Sequence, residues 1–356
     1  MFKNSKTIVA LSIIPQVICI KIIANFPEYI ETVYSNGIYK FISNALRYVF
    51  GWIPFSLGDV FYTIAVFMMI RWLILNRKRI LKDTKNCIID VLALVSIIYF
   101  AFHIFWAFNY YRLPVHQSLN IQNTYSTEQL IRVTENLIDI SNTKHNSLVD
   151  NDSLKVEMPY SKEEMIRLTE NGYYNLSQKY THLNPNPEST KTSIYSLPLT
   201  YMGFSGYLNP FTNESQIDGL IPMYKFPTTI AHEQAHQIGY AAENEANFIG
   251  CLATIHNDDK YFKYCGNIFA LRHCLSEVYR RDTDSYEKLL AQVNPGILAN
   301  YQESYDFWTS YKNPLEPIFK EFYSNFLKAN NQEKGIESYS YAVALFVNYF
   351  DIENSK

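Results

Sequence analysis

A basic excess is missing from this chain of 356 residues: 31 lysines and arginines stand against 34 aspartates and glutamates, a formal net charge of −3. With no surplus of cations to neutralise phosphates, the composition argues against a nucleic-acid partner. Cysteine is scarce as well. Cys19, Cys87, Cys251, Cys265 and Cys274 are scattered singly, which leaves out a disulfide scaffold, a zinc ribbon and a CxxC redox pair. Cys265 and Cys274 are the pair that an oxidising exterior could join. A processing signal is also absent. The apolar stretch 7–25 follows Lys3 and Lys6, yet no small-x-small cleavage site comes after it, and Gln16-Val17-Ile18 before Cys19 makes a poor lipoprotein site. The stretch therefore reads as an uncleaved anchor.

What the chain does have is long apolar runs. Residues 57–75 and 87–108 are two more, each long enough at about 1.5 Å per residue to cross a hydrocarbon core of roughly 30 Å. Asp59, Arg71 and Asp90 lie near their ends, within reach of the interface, and His103, near the end of the third run, is expected at the interface too. Residues 76–86 carry five basic side chains and one acidic, whereas residues 26–56 carry two of each. The positive-inside rule puts the amino terminus and the 76–86 loop in the cytoplasm. The expected organisation is a membrane domain over residues 1–108, with three transmembrane helices in a bacterial cytoplasmic membrane, and an extracytoplasmic domain over 109–356.

The remainder reads as mainly α, a mostly helical α+β domain. Ser126 with Gln129 and Ser161 with Glu164 each offer a capping-box start for an amphipathic helix. The polar stretch 142–160 reads as a connection or lid. Residues 183–222 hold strand-like pieces at Thr192–Tyr195 and Thr200–Phe204, the place for a small sheet. The run Tyr341–Phe350 is too short to span and reads as a packing helix.

The chemistry concentrates after Thr228, where HEQAH supplies H-E-x-x-H at His232, Glu233 and His236. Residues four apart share a helix face, so both imidazoles can bind one Zn²⁺ while Glu233 reaches the water on that ion. Zinc with three protein ligands lowers the pKa of that water towards about 7, and a carboxylate then serves as general base. Pro227 suits an early helical position and Gly239 a helix end. The third ligand must come from the returning chain. Glu243 and Glu245 are the candidates, and on a helix they point about 200° apart. A second helix starting near Asn244 would bury Phe248, Ile249, Leu252 and Ile255, the face that carries Glu245. A carboxylate on that face needs a partner, and this argument selects Glu245 as the ligand, with Glu243 left open as a residue folding back after the glycine.

His232 to His236 with Asn244-Glu245-Ala246 resembles the gluzincin zinc metallopeptidases, in which two helices supply HExxH and then the Glu of an N-E-A stretch. The nine positions from His236 to Glu245 are fewer than in thermolysin-like enzymes, and Ile249 stands where those enzymes keep an Asp that supports a histidine ligand. The chain also resembles a family of uncharacterised bacterial multi-pass membrane proteins with a zincin-type domain. The similar pieces are Ile53–Asp59, Asn109–Arg112, Gly206–Thr212, the HEQAHQIG to NEANF block and Ser338–Tyr341. The resemblance implies a metallopeptidase-like fold and a membrane anchor. The expectation is a membrane-anchored zinc metallohydrolase, a peptidase, with Zn²⁺ on His232, His236 and Glu245 and with Glu233 catalytic. Its partners would be the lipid bilayer and a peptide or envelope protein substrate. The alternative is a non-catalytic, zinc-stabilised receptor or assembly module. Tyr207, Tyr279, Arg280, Tyr339 and Tyr341 are candidates for oxyanion stabilisation; His256 and His273 read as ordinary side chains.

Overall fold

The computed structural model of the chain describes residues 2–184, 187–332 and 339–354. Ser338 of the last similar piece lies outside them, and the side chains of Tyr339 and Ser340 are not described. The protein is mainly helical, with one three-stranded sheet.

Among the described residues, three helical segments are long and apolar enough to cross a membrane: Ser5–Ile23, Leu57–Lys82 and Thr84–Phe105. Within the most apolar window of each, 11% of the residues are buried inside the protein, so their side chains face outward, as in a membrane protein and unlike core helices. The first segment is built of two helices, Phe2–Leu11 and Ile13–Ile23. It runs parallel to the third, since Lys6 pairs with Asp90 at 2.8 Å and Gln16 donates to Ser96 at 3.0 Å. The second returns antiparallel through the turn at Asp83. The Lys6 end and the basic turn therefore share one end of the bundle, and Ile23, Leu57 and Phe105 the other. The second helix outruns its expected end at residue 75, and the third stops at Phe105, three residues before the expected 108, because Trp106 leaves helical geometry ahead of the 3₁₀ turn Ala107–Tyr111. His103, two residues from the end of the third helix, is buried against the protein, with its Nδ1 at 2.9 Å from the Tyr99 carbonyl.

The second membrane helix is keyed into the rest of the molecule at its start. Ser56 accepts from the Asp59 amide at 3.0 Å, a normal N-cap. Glu214 accepts from the amides of Leu57 (3.2 Å) and Gly58 (2.6 Å), placing a carboxylate at the positive end of the helix. Asp59 accepts from the Ser193 hydroxyl at 2.9 Å, the Ile194 amide at 2.8 Å and the Tyr207 hydroxyl. Gly58 allows this docking, because a Cβ there would lie 2.4 Å from Asn209 Nδ2. Two of the similar sequence pieces, Ile53–Asp59 and Gly206–Thr212, are thus two halves of one joint.

The small sheet lies in the expected region. Its strands are β1 (Thr190–Thr192), β2 (Gly206–Leu208) and β3 (Ser215–Ile217), in the order β1-β3-β2, with β1 parallel and β2 antiparallel to β3. Thr200–Phe204 is not a strand: the helix Ser196–Met202 takes most of it and ends at Gly203, whose φ is +79°. Both capping boxes form, Ser126 with Gln129 and Ser161 with Glu164. The stretch after Asn146 is pinned: Val156 exchanges both backbone hydrogen bonds with the Asn300 side chain, and Asp152 accepts from the Gly296 amide. The terminal helix Tyr339–Asn354 packs into the main core through Phe346 and Val347. Cys265 and Cys274 are free and buried on one helix, Lys260–Arg281. Nine helical residues separate them by about 14 Å, too far for a disulfide.

Candidate metal centre

The HExxH segment forms the helix Phe226–Gln237, with Pro227 in its first turn. Gly239, at φ +94°, ends it in the left-handed conformation that glycine alone adopts freely. The chain then reverses into the helix Glu243–Ile255. The two helices touch backbone to backbone: a Cβ on Gly250 would come within 2.6 Å of the His232 nitrogen. Further bonds hold the first helix from outside. Tyr39 donates to the Gln237 carbonyl at 2.9 Å, Trp106 to that of His236 at 3.3 Å and Arg112 to that of Gly239 at 3.0 Å. Tyr39 and Trp106 come from the membrane part of the sequence, and Arg112 follows it directly.

His232, His236 and Glu243 bring one ligand atom each to within 4.8 Å of one another. The Nε2 atoms of His232 and His236 lie 3.4 and 3.8 Å from the Glu243 carboxylate, close to the roughly 3.3 Å that separates ligands tetrahedrally arranged at zinc–nitrogen distances. Each histidine is turned by its other nitrogen. His232 Nδ1 lies 3.0 Å from Asn247 Oδ1, and His236 Nδ1 lies 2.7 Å from the Tyr240 carbonyl, the carbonyl contacts that leave Nε2 free to bind a metal. The Tyr323 hydroxyl donates to Glu243 at 2.5 Å. The donor set and its spacing fit a zinc ion.

Glu245 does not join this group. It lies on the core-facing side, as the apolar periodicity requires, but its partner there is the Val115 amide at 2.7 Å, with Arg112 close enough to stabilise its charge. Burial pushes the Glu245 carboxyl up to about 7, against these two favourable contacts. The third member of the cluster is Glu243 because the helix begins there, one residue earlier than expected, so that Glu243, Asn247 and Gly250 form the stripe facing the histidines.

Glu233 is buried, and its Oε2 has no hydrogen-bond partner. Its carboxylate sits against β2, where a Cβ on Gly206 would lie 2.7 Å from Oε1. Burial raises the Glu233 carboxyl to about 8; the His232 charge opposes this and that of Glu243 adds to it. Burial also disfavours a charged Glu243, but the His232 hydrogen bond and both imidazoles hold it down to about 2.

The cluster opens into a cleft of about 1480 Å³. Tyr207 and Arg280 line it, but the Tyr207 hydroxyl is engaged by Asp59 and Arg280 is paired with Glu277 at 2.7 Å. Tyr279 and Tyr341 are exposed and do not line it. Tyr323 and Asn247, which sequence reasoning missed, are on its wall. Asn247 was legible in principle as a polar residue four after Glu243; Tyr323, eighty positions further on, carries no sequence signal. His256 has its Nδ1 at 2.9 Å from the Leu252 carbonyl and its Nε2 at 3.5 Å from the Tyr349 hydroxyl, and His273, on the cleft wall, lies tilted against Phe269 with ring centroids 4.6 Å apart.

A family profile described as "Protein of unknown function (DUF3810)" matches residues 34–347. No curated protein matches the chain, and no solved structure does.

Proposed function

The chain belongs to the DUF3810 family, and we propose that it is a membrane-anchored zinc hydrolase that cleaves amide bonds outside the cytoplasmic membrane. The observation that carries this reading is the convergence of His232, His236 and Glu243 within 4.8 Å, beside a buried Glu233 with one unpaired carboxylate oxygen. A structural zinc takes four protein ligands; three ligands and an adjacent unpaired base leave a position for a reacting water. Bound Zn²⁺ would acidify water, polarise a carbonyl and favour the ionised form of Glu233.

Glu233 takes a proton as the water oxygen adds to the amide carbon, and returns one to the nitrogen as the carbon–nitrogen bond breaks, giving a carboxylate and an amine. Tyr323 orients Glu243, while Asn247 and the Tyr240 carbonyl orient the imidazoles. The cleft-facing edge strand β2 offers an extended peptide a backbone to pair with. The basic residues of 76–86 assign that turn to the cytoplasm and the site to the opposite side.

Metal analysis tests the ligand set. Wild type should carry near one zinc per chain, Glu243→Ala should lose it, and Glu245→Ala should keep it while losing about 1–3 kcal/mol of stability from the abandoned Val115 amide. Glu233→Gln should retain zinc and lose about 10²–10⁴-fold in hydrolysis of a peptide pool. Undiminished hydrolysis in Glu233→Gln, or zinc retained in Glu243→Ala, would overturn the reading.

A further inference from the structure

The cleft does not stop at the metal centre. One wall is a stripe of the third membrane helix: Val95, Ile98, Tyr99 and Phe102 line it, followed by Trp106. From Phe105 back to Val95 the helix runs about 15 Å, half of a hydrocarbon core of roughly 30 Å. The cleft thus enters the bilayer to about the depth of one leaflet. At its far end, along the HExxH helix, Lys225 and Arg272 line it. The catalytic cluster lies between an apolar and a cationic end.

A second observation places the same opening at the membrane surface. The helix Glu316–Ala329 turns Tyr323 and Phe326 to the cleft, with Phe326 against Phe102 at 6.1 Å. On the flank beside these two, Ile318 and Phe322 are 61% and 75% exposed, preceded by Leu315 at 58%. The neighbouring helix Ser196–Met202 adds the exposed Leu197 and Tyr201. An amphipathic helix with such a face, contiguous with membrane-spanning helices, lies in the interface with its apolar side in the leaflet. This roofs the mouth of the cleft with lipid.

We propose that the substrate is a polypeptide anchored in the bilayer, admitted sideways from the outer leaflet along the third membrane helix and cut where it emerges. This rests on the hydrolase reading of the site. A polypeptide is favoured over a lipid for two reasons. The cleft exceeds the roughly 300–1,000 Å³ of a small-ligand pocket, and Gly206–Leu208, which line it, present a strand edge that only an extended backbone can pair with.

The test uses the zinc-loaded full chain in vesicles of phosphatidylethanolamine and phosphatidylglycerol. A randomised quenched-fluorescent peptide pool is presented free, joined to an apolar transmembrane helix, or N-palmitoylated. The helix-anchored pool should be cleaved at least about tenfold faster than the free pool. Ile98→Trp, which fills the groove, should lower that rate about tenfold, whereas Ile97→Trp, exposed on the side of the helix away from the cleft-lining stripe, should not change it. Should Ile98→Trp fail to fold, Ile98→Cys in a Cys19→Ser background, blocked after reconstitution with a bulky maleimide, replaces it, because the remaining cysteines are buried. Equal rates on free and helix-anchored pools, preference for the palmitoylated pool, or equal effects of Ile98→Trp and Ile97→Trp would overturn the inference and leave the hydrolase standing. No cleavage of any pool would remove both.

Discussion

Glu243 and Glu245 are two residues apart, are equally buried at 7% exposure, and meet opposite demands. The apolar spacing correctly put Glu245 on the core side and correctly required a partner for it. It could not say that the partner is a backbone amide some 130 positions earlier. Glu243 faces the histidines because the helix starts with it. Its supporting contact is Tyr323, and Tyr323→Phe should keep the fold and weaken zinc binding about 10–100-fold, read by competition with a chelator. A half-buried carboxylate acts at a distance. Glu31 receives Arg112 at 2.8 and 2.6 Å, and Arg112 in turn holds the Gly239 carbonyl. Burial acts against the Glu31 charge, but Arg112 outweighs it and lowers the carboxyl below its ordinary value of 4.5. The pair therefore contributes fully above pH 4.5 and loses its contribution as the pH falls through the lowered value. Glu31→Gln should reduce stability at neutral pH by about 3 kcal/mol and flatten that part of the acid limb in denaturant titrations.

At the level of elements, local rules were legible wherever the partners are close in sequence. Ser126 and Ser161 cap their helices, Pro227 opens one and Gly239 closes it, as short-range geometry demands. Prediction was poorer where a long-range contact decides. Thr200–Phe204 has strand-forming residues, yet Ser196–Met202 coils into a helix packed on Glu316–Ala329. The start of the second membrane helix is a further case, since Asp59 collects three donors from around the sheet. An amide at that position would turn its own donor towards one of them. Asp59→Asn should therefore loosen the joint without removing the span, and amide hydrogen exchange should accelerate at Ile194 and along β2 while the membrane helix keeps its protection.

For the whole molecule, the arrangement of the three apolar helices leaves the basic turn and the His232–His236–Glu243 cluster at opposite ends of the bundle. With the proposed orientation, Arg77→Cys in a Cys19→Ser background should resist a membrane-impermeant maleimide added outside intact cells and react once the membrane is opened; labelling from outside would invert the topology. Residues 26–56, which carry no motif beyond the Ile53–Asp59 piece, are built into the base of the site, with Tyr39 bonded to the Gln237 carbonyl and to Asn213. Apolar length, charge asymmetry, helix caps and the pairing of His232 with His236 are properties of neighbouring residues, and the order of amino acids alone sufficed to determine them. The choice of Glu243, the recruitment of Tyr323 and the opening of the cleft along the third membrane helix needed the folded chain. The first depends on where the returning helix begins, the other two on segments 80 or more positions apart meeting in space, and no local spacing encodes which of many equivalent side chains will arrive.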